Sequence, residues 1–145
     1  MDFSYIQAMS YDYFLQACLN TNPQQIPTER IMAIFEPYIV NQRPDYIELE
    51  FEQNNHCTIF MDTEAPGNAC INVHRPCTGE PFVRCLYEIM QLGHVVFFEL
   101  DGIRAITLSP EMQQHLLDGM LDSMGPPVVA GSWDEFRQLW QNNRI

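Results

Sequence analysis

The chain has 145 residues, enough for one domain, and 46% of them are apolar, so a hydrophobic core is expected and wholesale disorder is not. The 19 Asp and Glu outnumber 7 basic residues, all Arg, for a net charge of −12. That excludes the broad basic footprint that DNA or RNA binding needs, disfavours anionic membranes, and points to a positively charged protein surface as the partner.

The chain opens Met1-Asp2-Phe3-Ser4-Tyr5, with no basic region followed by an apolar run. This predicts no secretory signal and a cytoplasmic protein. The apolar run at residues 95–98, and the slightly longer one at residues 31–35, are far short of the roughly 20 needed to span a bilayer.

In chain order, Tyr5, Ile6, Met9, Tyr13, Phe14, Ala17 and Cys18 recur three and four apart and predict a helix over residues 3–19, closed by Asn22-Pro23. Ile31, Met32, Ile34, Phe35, Tyr38 and Ile39 predict a second helix from residue 27 or 28 to 40, kinked near its end by Pro37. The period then drops to two. In residues 46–51, Ile47, Leu49 and Phe51 alternate with Glu48, Glu50 and Glu52, the pattern of a strand covered on one face. Turns at Asn54-Asn55 and Pro66-Gly67-Asn68 lead into strands over 56–62 and 69–74.

A third helix is predicted over 81–92, with Gly93 stopping it in the left-handed conformation. Residues 94–100 read as a central strand, and Asp101-Gly102 as a hairpin turn into a strand over 103–108. Ser109 caps a helix that starts with Pro110 and ends at Gly125-Pro126-Pro127. Residues 128–130 read as an edge strand or packed linker. Ser132 and Glu135 form a capping box for a last helix anchored by Trp133, Phe136, Leu139 and Trp140. Together these elements predict a single α+β domain over residues 1–145. Its mostly antiparallel sheet would have about five strands, with helices packed on one face.

The Glu48-Glu50-Glu52 row reads either as an ordinary solvated sheet face or as a docking strip for Arg and Lys side chains. Neighbours in the row stand about 6 to 7 Å apart along a strand, too far for a shared-proton pair. Asp45, Asp62, Glu64, Asp118 and Asp122 are candidate contributors, and Tyr11, beside Asp12, is a candidate aromatic contact. Aromatic anchors would supply affinity, and the acids on-rate and specificity.

The five Cys are irregularly spaced, which predicts free, mostly buried thiols. No CxxC pair occurs, so neither a metal nor another cofactor is expected at Cys70, His74 and Cys77. The alternative activity is a small cysteine-dependent enzyme using Cys77 with a nearby His74, His94 or His56. Arg75 and the following helix start would lower the Cys77 pKa.

In size, acidity and single-domain α+β construction, the whole resembles the small acidic cytosolic immunity proteins that bacteria use against secreted or contact-delivered toxins. The resemblance lies in overall character and carries over no individual residue. It implies an inhibitor without catalysis of its own, whose partner is a basic protein such as a toxin or nuclease domain.

Overall fold

The computed structural model describes residues 12–99 and 105–143. The expectations for residues 3–11, Tyr11 included, and for the Asp101-Gly102 hairpin lie outside them. Tyr13, Leu15 and Ala17 are buried, while Phe14 and Gln16 between them are half-exposed. That alternation is the signature of a strand, and Tyr13–Leu19 is β1, not the end of a helix. Apolar residues on both faces of β1 imitate helical spacing, because Cys18 is buried on the face opposite Leu15.

Short strands Asn22–Pro23 (β2) and Ile26–Pro27 (β3) lead into helix α1, Thr28–Phe35. The predicted second helix stops early. Glu36–Tyr38 is a tight 3-10 turn with Pro37 inside it, and Ile39–Arg43 is already β4. Strands β5 (Tyr46–Glu52), β6 (Asn55–Phe60), β7 (Gly67–Asn68) and β8 (Cys70–His74) follow, close to the expected meander. Helix α2 spans Glu80–Met90, and β9 spans Val95–Glu99.

The predicted helix after Ser109 is broken. Pro110–His115 forms a 3-10 helix, and Met120–Met124 (α3) restarts after Gly119, whose φ of +87° suits glycine. Ile106–Thr107 is β10, Val128–Val129 is the edge strand β11, and Trp133–Asn143 is α4. The capping box forms in part as expected. The Glu135 N–H donates to Ser132 Oγ at 3.2 Å, while the Glu135 carboxylate accepts from the Gly131 N–H at 3.2 Å, one residue earlier than the standard box. Among the described residues no helix is long and apolar enough to cross a membrane.

The expectation of a sheet of about five strands is overturned. The sheet has nine strands, in the order β11-β10-β9-β1-β8-β6-β5-β4 with β2 paired to β1, and a separate two-stranded sheet joins β3 to β7. Every pairing is antiparallel except β10 with β11, so the sheet is mixed. β1, taken for a helix, lies between β8 and β9, and β4, taken for a helix end, forms an edge. The added two-residue strands carry no periodicity of their own.

Helices on one face are also corrected. One face packs Leu15, Ile47, Leu49, Ile59, Val73 and Phe97 against α1, α2 and α4. Within it Trp140 meets the rings of Tyr13, Phe97 and Phe82 at centroid distances of 5.3, 5.5 and 6.2 Å. The other face carries a smaller core at one end, where Cys18, Val96 and Ala105 sit under Met112 and Leu116 of the 3-10 segment, with Met120 and Met124 of α3 packed against them.

Gly93 is not left-handed. It is kept small by close approach: a Cβ there would lie 2.6 Å from Ile26 Cδ1.

Candidate functional site: the sheet face opposite the main core

Alternation along each strand places one residue in two on the face away from the main core, and the registers decide which of these become neighbours. Phe98 pairs with Phe14, Phe14 with Asn72, Asn72 with Phe60, and Phe60 with Tyr46. These residues form one row across β9, β1, β8, β6 and β5. Beside it runs a polar row: Asn41 pairs with Glu48, Glu48 with Thr58, and Thr58 with His74. Asp12 completes it, its Oδ1 3.0 Å from His74 Nδ1. Glu50 and His56 form the next pair outward, their side chains 3.1 Å apart.

The aromatic row is ordered by its own contacts. Phe14 and Phe98 stack with centroids 5.2 Å apart and planes 16° from parallel. Phe60 meets Tyr46 edge-on at 6.1 Å and His74 at 5.8 Å. Phe60 remains 41% exposed, so a large aromatic surface faces outward beside carboxylates. Among the described residues, neither hydrophobic core includes the stretch of this face from β8 to β4.

The acidic candidates divide by position. Glu48, half-buried, accepts from Asn41 Nδ2 at 3.0 Å and lies on the face together with Glu50. Glu52 follows a register shift in β5 and is exposed. Asp45 precedes Tyr46 in the β4–β5 turn, and its carbonyl accepts from the Met61 N–H at 3.2 Å. That bond brings the loop carrying Asp62 and Glu64 to the Tyr46 end of the row. Asp62 uses its Oδ1 to accept from the N–H groups of Glu64 and Ala65, at 3.0 and 3.1 Å, so it shapes this loop as well as charging it. Asp118 and Asp122 are not brought to the same place. They flank Met120 on the segment packed over the second core, beneath which lie β1 and β9. β9 stands four strand positions from β5, roughly 19 Å across the sheet.

The thiol alternative meets a different environment. Cys77 is 3% exposed, and its Sγ donates to the Asn55 carbonyl at 3.5 Å. A hydrogen bond shared with the Cys57 sulfur, and then burial, hold its thiol well above the usual range, the reverse of the expected activation. Its loop is clamped by Asn55, whose side chain bonds both the N–H and the carbonyl of Thr78. Burial likewise pushes the Cys85 thiol up to about 12, with the Glu88 carboxylate adding to the shift. Among the described residues no hydrogen bond joins a thiol to an imidazole, and no three of His, Cys, Asp and Glu gather as a metal-binding group.

Asp12, Phe14, Asn72 and Phe98 are parts of the face that sequence reasoning did not pick out as a site. Alternation through residues 13–17 was the available signal. The chain matches no protein-family model and no curated protein.

Proposed function

We propose that this chain is a protein-binding inhibitor of the immunity type, acting in the cytoplasm by covering a basic surface on a partner such as a toxin or nuclease domain. One observation carries the reading: the row of Phe14, Phe60 and Tyr46 lies in register beside Asp12, Glu48 and Glu50 on the sheet face opposite the main core, with Phe98 joining the row to the second core. Aromatic rings in such a place bury large area at low entropic cost, while neighbouring carboxylates steer a basic partner and fix its orientation. Nucleic acid and anionic membranes do not fit this surface, because their phosphates would meet the carboxylates.

Size sets how the partner must sit. Spacings of about 4.8 Å over the strands from β1 to β4, and strands about 20 Å long, give a face of roughly 400 Å². A stable interface takes about 800 Å² from each side. The partner therefore reaches beyond the face to the Asp45, Asp62 and Glu64 loops at its end. The buried, acceptor-bound Cys77 lends no support to the enzyme alternative.

The test is affinity capture on the immobilised protein at low salt, with mass spectrometry of retained basic proteins and an assay of whether the chain blocks the toxicity of each. Two variants decide the role of the face. Glu48→Lys with Glu50→Lys and Asp118→Lys with Asp122→Lys change the net charge equally, but only the first pair lies on the face. The expected result is a neutralised basic partner that the first variant loses and the second keeps. Equal loss in both, or no retained partner whose toxicity is blocked, refutes the proposal.

A further inference from the structure

Within the aromatic row, Asn72 is the one short side chain, standing between Phe14 of β1 and Phe60 of β6. Its neighbours are engaged with other rings. Phe14 lies flat against Phe98, and Phe60 is engaged with Tyr46 and His74. The strands carrying Phe14 and Phe60 are two spacings apart, about 9.6 Å. Van der Waals contact takes about 3.5 to 4.0 Å on each side of an inserted group, so the strand spacing leaves width for one planar layer between the side chains that rise from these two strands.

The floor of the gap is polar and oriented. Asn72 Nδ2 donates to the Tyr13 carbonyl at 3.2 Å, which directs the amide oxygen, an acceptor, away from that carbonyl. One row away stand His74, held by Asp12 at 3.0 Å, and Thr58, followed by Glu48. The gap thus combines aromatic walls, an acceptor at its base and, one row away, the Asp12 carboxylate held by His74, with Glu48 two strands further across the sheet.

We propose that this gap is an arginine-recognition slot: it takes the guanidinium of an Arg side chain presented by a basic protein partner. This deepens the reading of the face as a partner-binding surface and rests on it. A guanidinium is planar and cationic, stacks on aromatic faces, and presents N–H donors in its own plane, toward both the Asn72 oxygen and the Asp12 carboxylate. A Lys ammonium shares the charge but lacks the plane. It satisfies the acids without filling the space between Phe14 and Phe60. Charge complementarity selects a basic partner, and the shape of the gap selects arginine within it.

The experiment compares two labelled peptides that differ only in their basic residue, one alternating Arg and Gly, the other Lys and Gly, titrated onto the whole protein at low salt. The expected result is about fivefold tighter binding of the Arg peptide. Phe60→Ala should bring the Arg peptide to the level of the Lys peptide. Asn72→Leu, close to Asn in shape and without change of charge, removes the acceptor at the base of the gap and should weaken the preference for Arg, and it answers the question if Phe60→Ala fails to fold. Equal affinities on the unaltered protein, a preference undiminished in a folded variant, or no binding of either peptide overturns the slot. Equal binding that Glu48→Lys with Glu50→Lys abolishes would sink the slot while leaving the acidic face standing, so the two failures are distinguishable.

Discussion

Exchanging Leu15 and Phe14 for alanine, one at a time, separates the strand from the helix that spacing suggests for the same residues. Leu15 is 2% exposed and faces the main core. Leu15→Ala therefore removes fully buried methyls and leaves a cavity, a loss of about 3 to 5 kcal/mol. Phe14 is half-exposed on the opposite face, where it stacks on Phe98 at 5.2 Å. Losing that pair and partial burial costs about 1 to 2 kcal/mol. Urea denaturation followed by tryptophan fluorescence measures both, with an unchanged slope confirming that the same surface unfolds. Leu15→Ala should be the more destabilising by at least about 1 kcal/mol. A helix with Tyr13, Phe14, Ala17 and Cys18 turned inward predicts the reverse order. If Phe14→Ala costs as much as Leu15→Ala, the strand assignment, and with it the aromatic row, is wrong.

Thiol chemistry and packing supply the remaining expectations. In the native protein at neutral pH, alkylation should reach the exposed Cys70 first and leave Cys57, Cys77 and Cys85 until unfolding; labelling of Cys77 at the rate of a free thiol would contradict its burial. The Cys85 thiol rises from 9.0 to about 12 on folding, so its contribution to stability is complete below pH 9 and is lost as pH climbs toward 12. Denaturation at several alkaline pH values should show that slope reduced in Cys85→Ala, and an identical slope would exclude the effect. Gly93→Ala should cost about 1 to 3 kcal/mol, because the new methyl meets Ile26 Cδ1 at 2.6 Å and the Gln24 oxygen that accepts the His94 N–H at 3.1 Å. Its cost should fall in an Ile26→Val background, which lacks that methyl; an unchanged cost would assign the loss elsewhere. Trp140→Ala should cost about 3 to 5 kcal/mol in the same denaturation assay, since its ring touches those of Tyr13, Phe82, Phe97 and Phe136; a loss under about 1 kcal/mol would place it outside the core.

What was legible in the sequence followed one-sided burial. Ile47 and Leu49 are buried and Glu48 and Glu50 are not, so β5 declares its period directly. The apolar stripe of α2 and the Ser132–Glu135 cap are similarly local. β1 was illegible because the second core beneath Cys18 makes both of its faces apolar, and Tyr13, Phe14, Ala17 and Cys18 then satisfy a helical pattern. Strands of two residues, such as β10 and β11, are defined by their partners alone. The acids were visible as residues, but their company was not. That Phe14 stands between Phe98 and Asn72 is a matter of register between strands distant in sequence, and the Glu48–Thr58–His74 row exists only once those registers are set. Asp118 and Asp122 resemble Glu48 in composition yet belong to another part of the surface.

The irregular register of β4 has a consequence for how these molecules behave in a crowd. β4 is an outer strand with Val40 58% exposed, an inviting template on which a foreign strand would otherwise zip. The extra residue between Ile39 and Asn41 breaks the regular spacing of its outward amides and carbonyls, and Arg43 places a charge at its end. The border is thus blunted against polymerisation, and a concentrated solution of the protein should resist amyloid-like assembly without any chaperone standing over that margin.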